Sequence, residues 1–213
     1  MQLLLVRHGL PVRVDDAGGP ADPALSSTGV AQAEALGAAL ASWAGTGDPD
    51  GRVDAIWSSP MRRALETATC VTASVEGTLR IEVDDGLREF DHDLHFYVPL
   101  EELRGEDDPR WAELVAEWTS AESEEERRAF RATVVDALER VIAAHPSEHV
   151  AVVCHGGVIN AYLSHILGID RTLFFEPVYT SVSRVLASSR GHRQLVSVND
   201  TAHLRSPWPD PAG

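Results

Sequence analysis

Val150-Ala151-Val152-Val153-Cys154-His155-Gly156-Gly157 is an uninterrupted apolar run that stops on a histidine and two glycines. A run without polar alternation reads as a strand buried on both faces, and such strands belong to parallel sheets covered by helices. Leu3-Leu4-Leu5-Val6-Arg7-His8-Gly9 repeats the arrangement near the N-terminus. In an open parallel sheet, residues just past the strand C-termini face one crevice. His8 and His155, remote in sequence, are therefore expected to meet there.

The rest of the chain alternates strands and helices around these two runs. Pro11 to Pro23 reads as a loop, and Ser27 or Thr28 can cap a helix running to roughly Trp43, closed at Gly45. Val53 to Trp57 is a further apolar strand, followed by a helix from Pro60 to about Ala73 and a short strand over Leu79 to Val83. Residues 127–144 carry a helical stripe of Phe130, Val134, Leu138, Val141 and Ile142 that ends before Pro146. Val158 to Leu167 is expected as a helix stopped by Gly168, and Ser181 to Ala187 with Gln194 to Val198 as a hairpin. This alternation points to one α/β domain over 1–213 with a mainly parallel sheet, interrupted at about 84–130 by an acidic, helical, cap-like excursion.

The chain has 213 residues, 44% hydrophobic and 24% charged, as in a folded domain with a sizeable core. Its 18 cations are all arginine and face 33 acids, for a net charge of −15. So acidic a chain lacks the basic face that a nucleic-acid backbone requires. No stretch approaches the roughly 18 apolar residues of a membrane span, and Met1 to Leu5 is too short for a signal sequence. Cys70 and Cys154 form no disulfide framework or Cys-x-x-Cys pattern, which fits a reducing cytoplasm.

A third junction, Ser58-Ser59-Pro60-Met61-Arg62-Arg63-Ala64, places arginines at a helix start, where free N–H groups favour an anion. Arg7 and Arg63 can form a planar, multidentate clamp for phosphate oxygens, while Arg62 is expected on a solvated face. These junctions, together with Leu25-Ser26-Ser27-Thr28-Gly29-Val30-Ala31-Gln32-Ala33 and Asn199-Asp200-Thr201-Ala202-His203-Leu204, give the chain a likeness spanning most of its length. It resembles the histidine phosphatase (phosphoglycerate mutase-like) superfamily.

The resemblance implies a three-layer α/β/α sandwich and a phosphomonoesterase acting on a small phosphorylated metabolite, without cofactor or metal. It implies that His8 becomes a phosphohistidine while Arg7, Arg63, a protonated His155 and Gly156 hold the phosphoryl oxygens. Leu87-Arg88-Glu89 matches the family's acid pattern, so Glu89 is expected to protonate the leaving oxygen, with Asp91 and Asp93 as rivals. Many relatives carry Asn six residues after the histidine; Val14 stands there, and Arg13 is the candidate replacement ligand. Phe90-Asp91-His92-Asp93-Leu94-His95-Phe96-Tyr97 replaces the family's Gly-x-Trp-Glu-Gly segment, with Phe90, Phe96 and Tyr97 available to an uncharged substrate remainder. His92 and His95 are spaced poorly for a metal and read as polar cleft lining. A phosphomutase and a catalytically silent phospholigand-binding protein are the rival readings. The acidic runs of 84–130 disfavour holding the second phosphate that a mutase needs, and a homodimer stays open.

Overall fold

The computed structural model describes residues 1–45, 52–75, 79–90, 92–99 and 122–204. Residues 100–121 within the acidic excursion and the Pro-rich tail of 205–213 lie outside the described residues, as does Asp91. The elements in chain order are β1 (Gln2–Arg7), α1 (Ser27–Gly45), β2 (Ala55–Ser58), α2 (Arg62–Ser74), β3 (Ile81–Val83), a 3-10 turn (Asp85–Leu87), α3 (Glu122–Ala144), β4 (His149–Cys154), α4 (Gly156–Leu167), β5 (Val182–Ala187) and β6 (Arg193–Asp200). The strands form one sheet in the order β3-β2-β4-β1-β5-β6. β1 to β4 run parallel, and β5 is antiparallel to both β1 and β6.

The apolar runs of β1 and β4 are continuous because both faces of the sheet are covered. Leu3 and Leu5 of β1 pack with Val150, Val152 and Cys154 against α3 and α4, through Val134, Leu138, Val141, Ile159 and Tyr162. Leu4 and Val6 point to the opposite face with Ala151 and Val153, against Leu36 and Leu40 of α1 and Ala64, Ala68 and Val71 of α2. Each such Leu or Val, removed from water, contributes about 1.5–3 kcal/mol. The result is the expected three-layer sandwich.

Register decides where the chemistry sits. Arg7 is paired with Cys154 at the end of the β1–β4 ladder, and Ser58 with Val153 at the end of β2–β4. The three strands therefore finish side by side, and His8, Ser59 and His155 leave the sheet together. After β1 the chain turns to the α1–α2 face, whereas after β4 it turns to the α3–α4 face. The gap between β1 and β4 is thus a topological switch point, where α/β sheets open a crevice.

Several boundaries differ from the sequence reading. Ser26, not Ser27 or Thr28, caps α1: its hydroxyl accepts the Gly29 N–H at 3.0 Å and donates to the Leu10 carbonyl at 2.9 Å. Met61 is the extended residue before α2, so Pro60 precedes the helix instead of forming its first turn. α3 begins at Glu122 inside the charged run, and α4 begins at Gly156 rather than Val158. The hairpin is present, with β6 extended to Asp200. Among the described residues no helix is long and apolar enough to cross a membrane.

Candidate active site

His8 is fixed first by its neighbour. Its Nδ1 lies 2.8 Å from the Gly9 carbonyl, which accepts the ring N–H and leaves Nε2 as the lone-pair nitrogen. Gly9 N–H donates to Thr67 Oγ1 at 2.9 Å, and Thr67 in turn donates to the Arg63 carbonyl at 2.7 Å. The tight backbone here explains two glycines. A Cβ on Gly9 would stand 2.5 Å from the Gly29 carbonyl oxygen, and one on Gly29 would overlap Leu10. The loop behind the histidine and the start of α1 therefore touch backbone to backbone.

Arg63, one turn into α2, is 1% exposed and donates through Nε to His8 Nε2 at 3.2 Å. Its Nη1 is buried without a hydrogen-bond partner among the described residues, with Asp22 Oδ1 4.0 Å away. Arg7 donates through Nη1 to the Pro177 carbonyl. His155, at the N-cap of α4, receives or gives a 2.8 Å hydrogen bond through Nε2 with Ser59 Oγ, and its Nδ1 is likewise buried and unpartnered among the described residues. The His8 and His155 rings meet with centroids 5.1 Å apart. The structure thus places Arg7, His8, Arg63 and His155 in one cluster, with Gly156 opening the helix beside it.

Burial, and then the neighbouring Arg63 and Arg7, holds His8 well below the ordinary histidine range. Burial followed by Arg63 and the His8 ring does the same to His155. Both rings are therefore neutral near pH 7 in the free protein. An ion on His155 in the free protein would sit in a dry cleft already carrying two guanidinium charges. Burial also pushes the adjacent Cys154 thiol far up, leaving it inert.

Glu89 follows the 3-10 turn and reaches the N-terminus of α4, where Oε2 accepts the Gly157 N–H and Oε1 the Phe90 N–H, both at 2.9 Å. Arg13, the candidate replacement ligand, bonds Asp15 at 3.0 Å on an exposed loop, not the histidine cluster. Phe90 packs on Phe130 with centroids 5.5 Å apart, a role in the packing of α3. His92 bonds the Glu89 carbonyl at 2.9 Å and approaches Asp93 at 3.5 Å, and among the described residues no three His, Cys, Asp or Glu converge as a metal site. Arg62 bonds Glu66 at 2.7 Å on the surface, as expected.

Two tyrosines complete the cluster. Tyr179 lies under the Arg7 guanidinium at 3.8 Å and near the His8 ring at 5.6 Å. Tyr97 lies 4.8 Å from the Arg63 guanidinium. Tyr97 is delivered by pairing with Val14, through N–H···O bonds of 2.7 and 2.8 Å, at the position where relatives carry Asn. Tyr179 carries no motif and escaped the sequence reading. Its turn is held by Thr180, whose N–H donates to the Arg7 carbonyl at 3.0 Å, and by Asn199, whose Oδ1 accepts the Val178 N–H at 2.7 Å. The late Asn199 to Leu204 block thereby supports the cluster from behind, and His203 adds a 3.1 Å contact with Thr180 Oγ1.

The sequence profile of the histidine phosphatase superfamily (branch 1) matches residues 3–201. No curated protein matches the chain. Among solved structures, a mutant of phosphoserine phosphatase from Entamoeba histolytica, in complex with phosphoserine, is similar at 21% identity with a TM-score of 0.66, covering 95% of this chain and 98% of that one. Mycobacterial glucosyl-3-phosphoglycerate phosphatase gives the same identity and TM-score over 93% and 98%. Phosphoglycerate mutase from Bacillus anthracis also gives 21% and 0.66, over 95% and 94%. At such identities the likenesses establish the fold.

Proposed function

The chain belongs to the histidine phosphatase superfamily, branch 1, and from that membership we propose that it hydrolyses a phosphomonoester of a small metabolite through a phosphohistidine on His8, without a metal. The observation that carries this reading is the 2.8 Å Nδ1 contact of His8 with the Gly9 carbonyl. It leaves a neutral ring with Nε2 turned toward the arginines and His155, which is the state a nitrogen nucleophile needs.

In the first step His8 Nε2 forms a bond to phosphorus as the ester P–O bond breaks, and Glu89 gives its proton to the departing oxygen. Arg63 gives up its 3.2 Å bond to His8 Nε2 and turns its N–H groups, including the unpartnered Nη1, onto the phosphoryl oxygens. Arg7 and the Gly156 N–H at the start of α4 share the same charge, so the positive field comes from the chain itself. His155 presents its unpartnered Nδ1 to a phosphoryl oxygen, and a bound dianion supplies the counter-charge that favours its protonation. In the second step Glu89, now a carboxylate, takes a proton from water as that water attacks phosphorus. The P–N bond breaks and inorganic phosphate leaves. The reducing cytoplasm suits the two free cysteines.

The test is to quench a turnover reaction and map phosphate by mass spectrometry under alkaline conditions. The expected result is an acid-labile adduct on His8, absent together with turnover in His8→Ala, with alcohol and inorganic phosphate released in step. Inversion at phosphorus with no adduct would overturn the mechanism. Rapid interconversion of 2- and 3-phosphoglycerate with negligible phosphate release would make the protein a mutase.

A further inference from the structure

We infer that Tyr97 and Tyr179 are positioning residues of the phosphate clamp, each ring fixing the plane of one guanidinium so that its N–H edge meets a phosphoryl group at His8. The inference rests on the phosphatase reading. A guanidinium is weakly hydrated on its faces and donates only from its edge, so a ring on the face restrains the group without consuming a donor. On both sides of the cleft a guanidinium carbon stands over a tyrosine ring. Tyr179 lies 3.8 Å from the Arg7 guanidinium and Tyr97 lies 4.8 Å from that of Arg63, while the edge of Arg63 points at His8 Nε2, 3.2 Å from Nε.

The two rings come from separate supports. Tyr97 belongs to a strip, residues 94–97, paired to the loop after His8 by bonds at Val14, Ala17 and Ala21. Tyr179 precedes Thr180, which is fully buried with φ of 58°, a left-handed conformation that is unfavourable for a β-branched residue and persists only where surrounding contacts enforce it. Those contacts are the Thr180 N–H to Arg7 and the Thr180 hydroxyl at His203. Strained backbone is thus maintained at the position that brings a ring onto Arg7. The two phenol oxygens stand 3.4 Å apart, at the long limit of hydrogen bonding, and the restraint on the guanidinium groups is assigned to the rings.

The experiment measures inorganic phosphate affinity by calorimetry and KM for an aryl phosphate. Tyr97→Leu and Tyr179→Leu are each expected to weaken phosphate binding and raise KM about fivefold, with the Phe variants restored to within about twofold. In an Arg63→Met background, Tyr97→Leu is expected to weaken phosphate binding no further, because the ring acts through that guanidinium. Tyr97 is half-buried on a loop, so its variants carry the test even where buried Tyr179→Leu does not fold. Leu variants that bind phosphate like wild type, Phe variants that fail to restore affinity, or full additivity with Arg63→Met would each overturn the inference alone. A wild-type protein that neither binds phosphate nor hydrolyses the ester would overturn the phosphatase reading and the inference with it.

Discussion

Glu89 occupies the space that a side chain on Gly157 would fill. The Gly157 N–H donates to Glu89 Oε2 at 2.9 Å, and a Cβ on Gly157 would overlap Oε1 and come 3.0 Å from Cδ. The obstructing atoms are the tip of a flexible side chain, so an alanine there can be accommodated by swinging the carboxylate away from α4.

That relationship gives a paired prediction. Glu89→Gln is expected to lower kcat/KM for alkyl phosphates by about 100-fold or more, the usual worth of general acid catalysis. It should lower kcat/KM for an aryl phosphate with an acidic leaving group by less than about tenfold. Gly157→Ala should give the same leaving-group signature with little loss of thermal stability. A steady-state series across leaving-group pKa checks both, and a flat dependence in either variant removes Glu89 from the acid role.

Gly29→Ala should destabilise the fold even though Ala is the better helix former. The atoms in its way are Leu10 backbone atoms, with N and C at 2.9 Å, and they cannot rotate aside. Overpacking of this kind costs about 1–3 kcal/mol. Urea unfolding of the variant measures it, and stability equal to wild type would mean that the loop behind His8 is free to retreat.

Stability should fall with acid. His8, His155 and His203 are all held below the ordinary histidine value, chiefly by burial. Above about pH 6.5 they are neutral in both folded and unfolded chains, and nothing is lost. As pH drops through the unfolded value the unfolded chain binds protons that the folded one refuses, and each fully buried ring then removes about 1.4 kcal/mol per pH unit until its folded value is reached. Urea midpoints at pH 7.5 and 5.5 should differ accordingly. His155→Asn should reduce the slope, and an unchanged slope would place that ring's titration elsewhere.

Exhaustive chelation should leave aryl phosphate hydrolysis intact, since Arg7, Arg63 and the α4 N-terminus are assigned the charge stabilisation that a divalent ion would otherwise give. Loss of rate on dialysis against EDTA, restored by one divalent ion, would replace nucleophilic histidine with metal-activated water.

The parts legible in sequence are those where one local cause decides the outcome. Leu3 to Val6 of β1 and Val150 to Cys154 of β4 are apolar without interruption because both faces are covered, and the histidine–glycine stops that follow them mark the crevice directly. The start of α4 was hidden because Gly156 and Gly157 are poor helix formers that a first turn nevertheless tolerates, one of them making room for Glu89. α3 was shortened because Glu122 to Glu126 read as a charged run although a helix can present such a run to solvent. Sequence names the His155 ring but not its complete burial beside two arginines, which is what holds its pKa down in the free protein. Tyr179 was invisible for a different reason: it reaches His8 through an antiparallel strand and a left-handed Thr180, neither of which leaves a pattern in the residues around it.

The His8 amide has a consequence for when this site exists. It donates to the Cys154 carbonyl at 2.9 Å, extending the ladder between the two central parallel strands by one rung. Such amides exchange with solvent only when the whole sheet opens, whereas the 94–97 strip is held to the loop after His8 by a few backbone bonds outside the sheet. In deuterium exchange the His8 amide should therefore be among the slowest positions and the Tyr97 amide clearly faster. The nucleophile is thus a rung of the sheet itself, and any opening large enough to bare its amide also dissolves the crevice it serves.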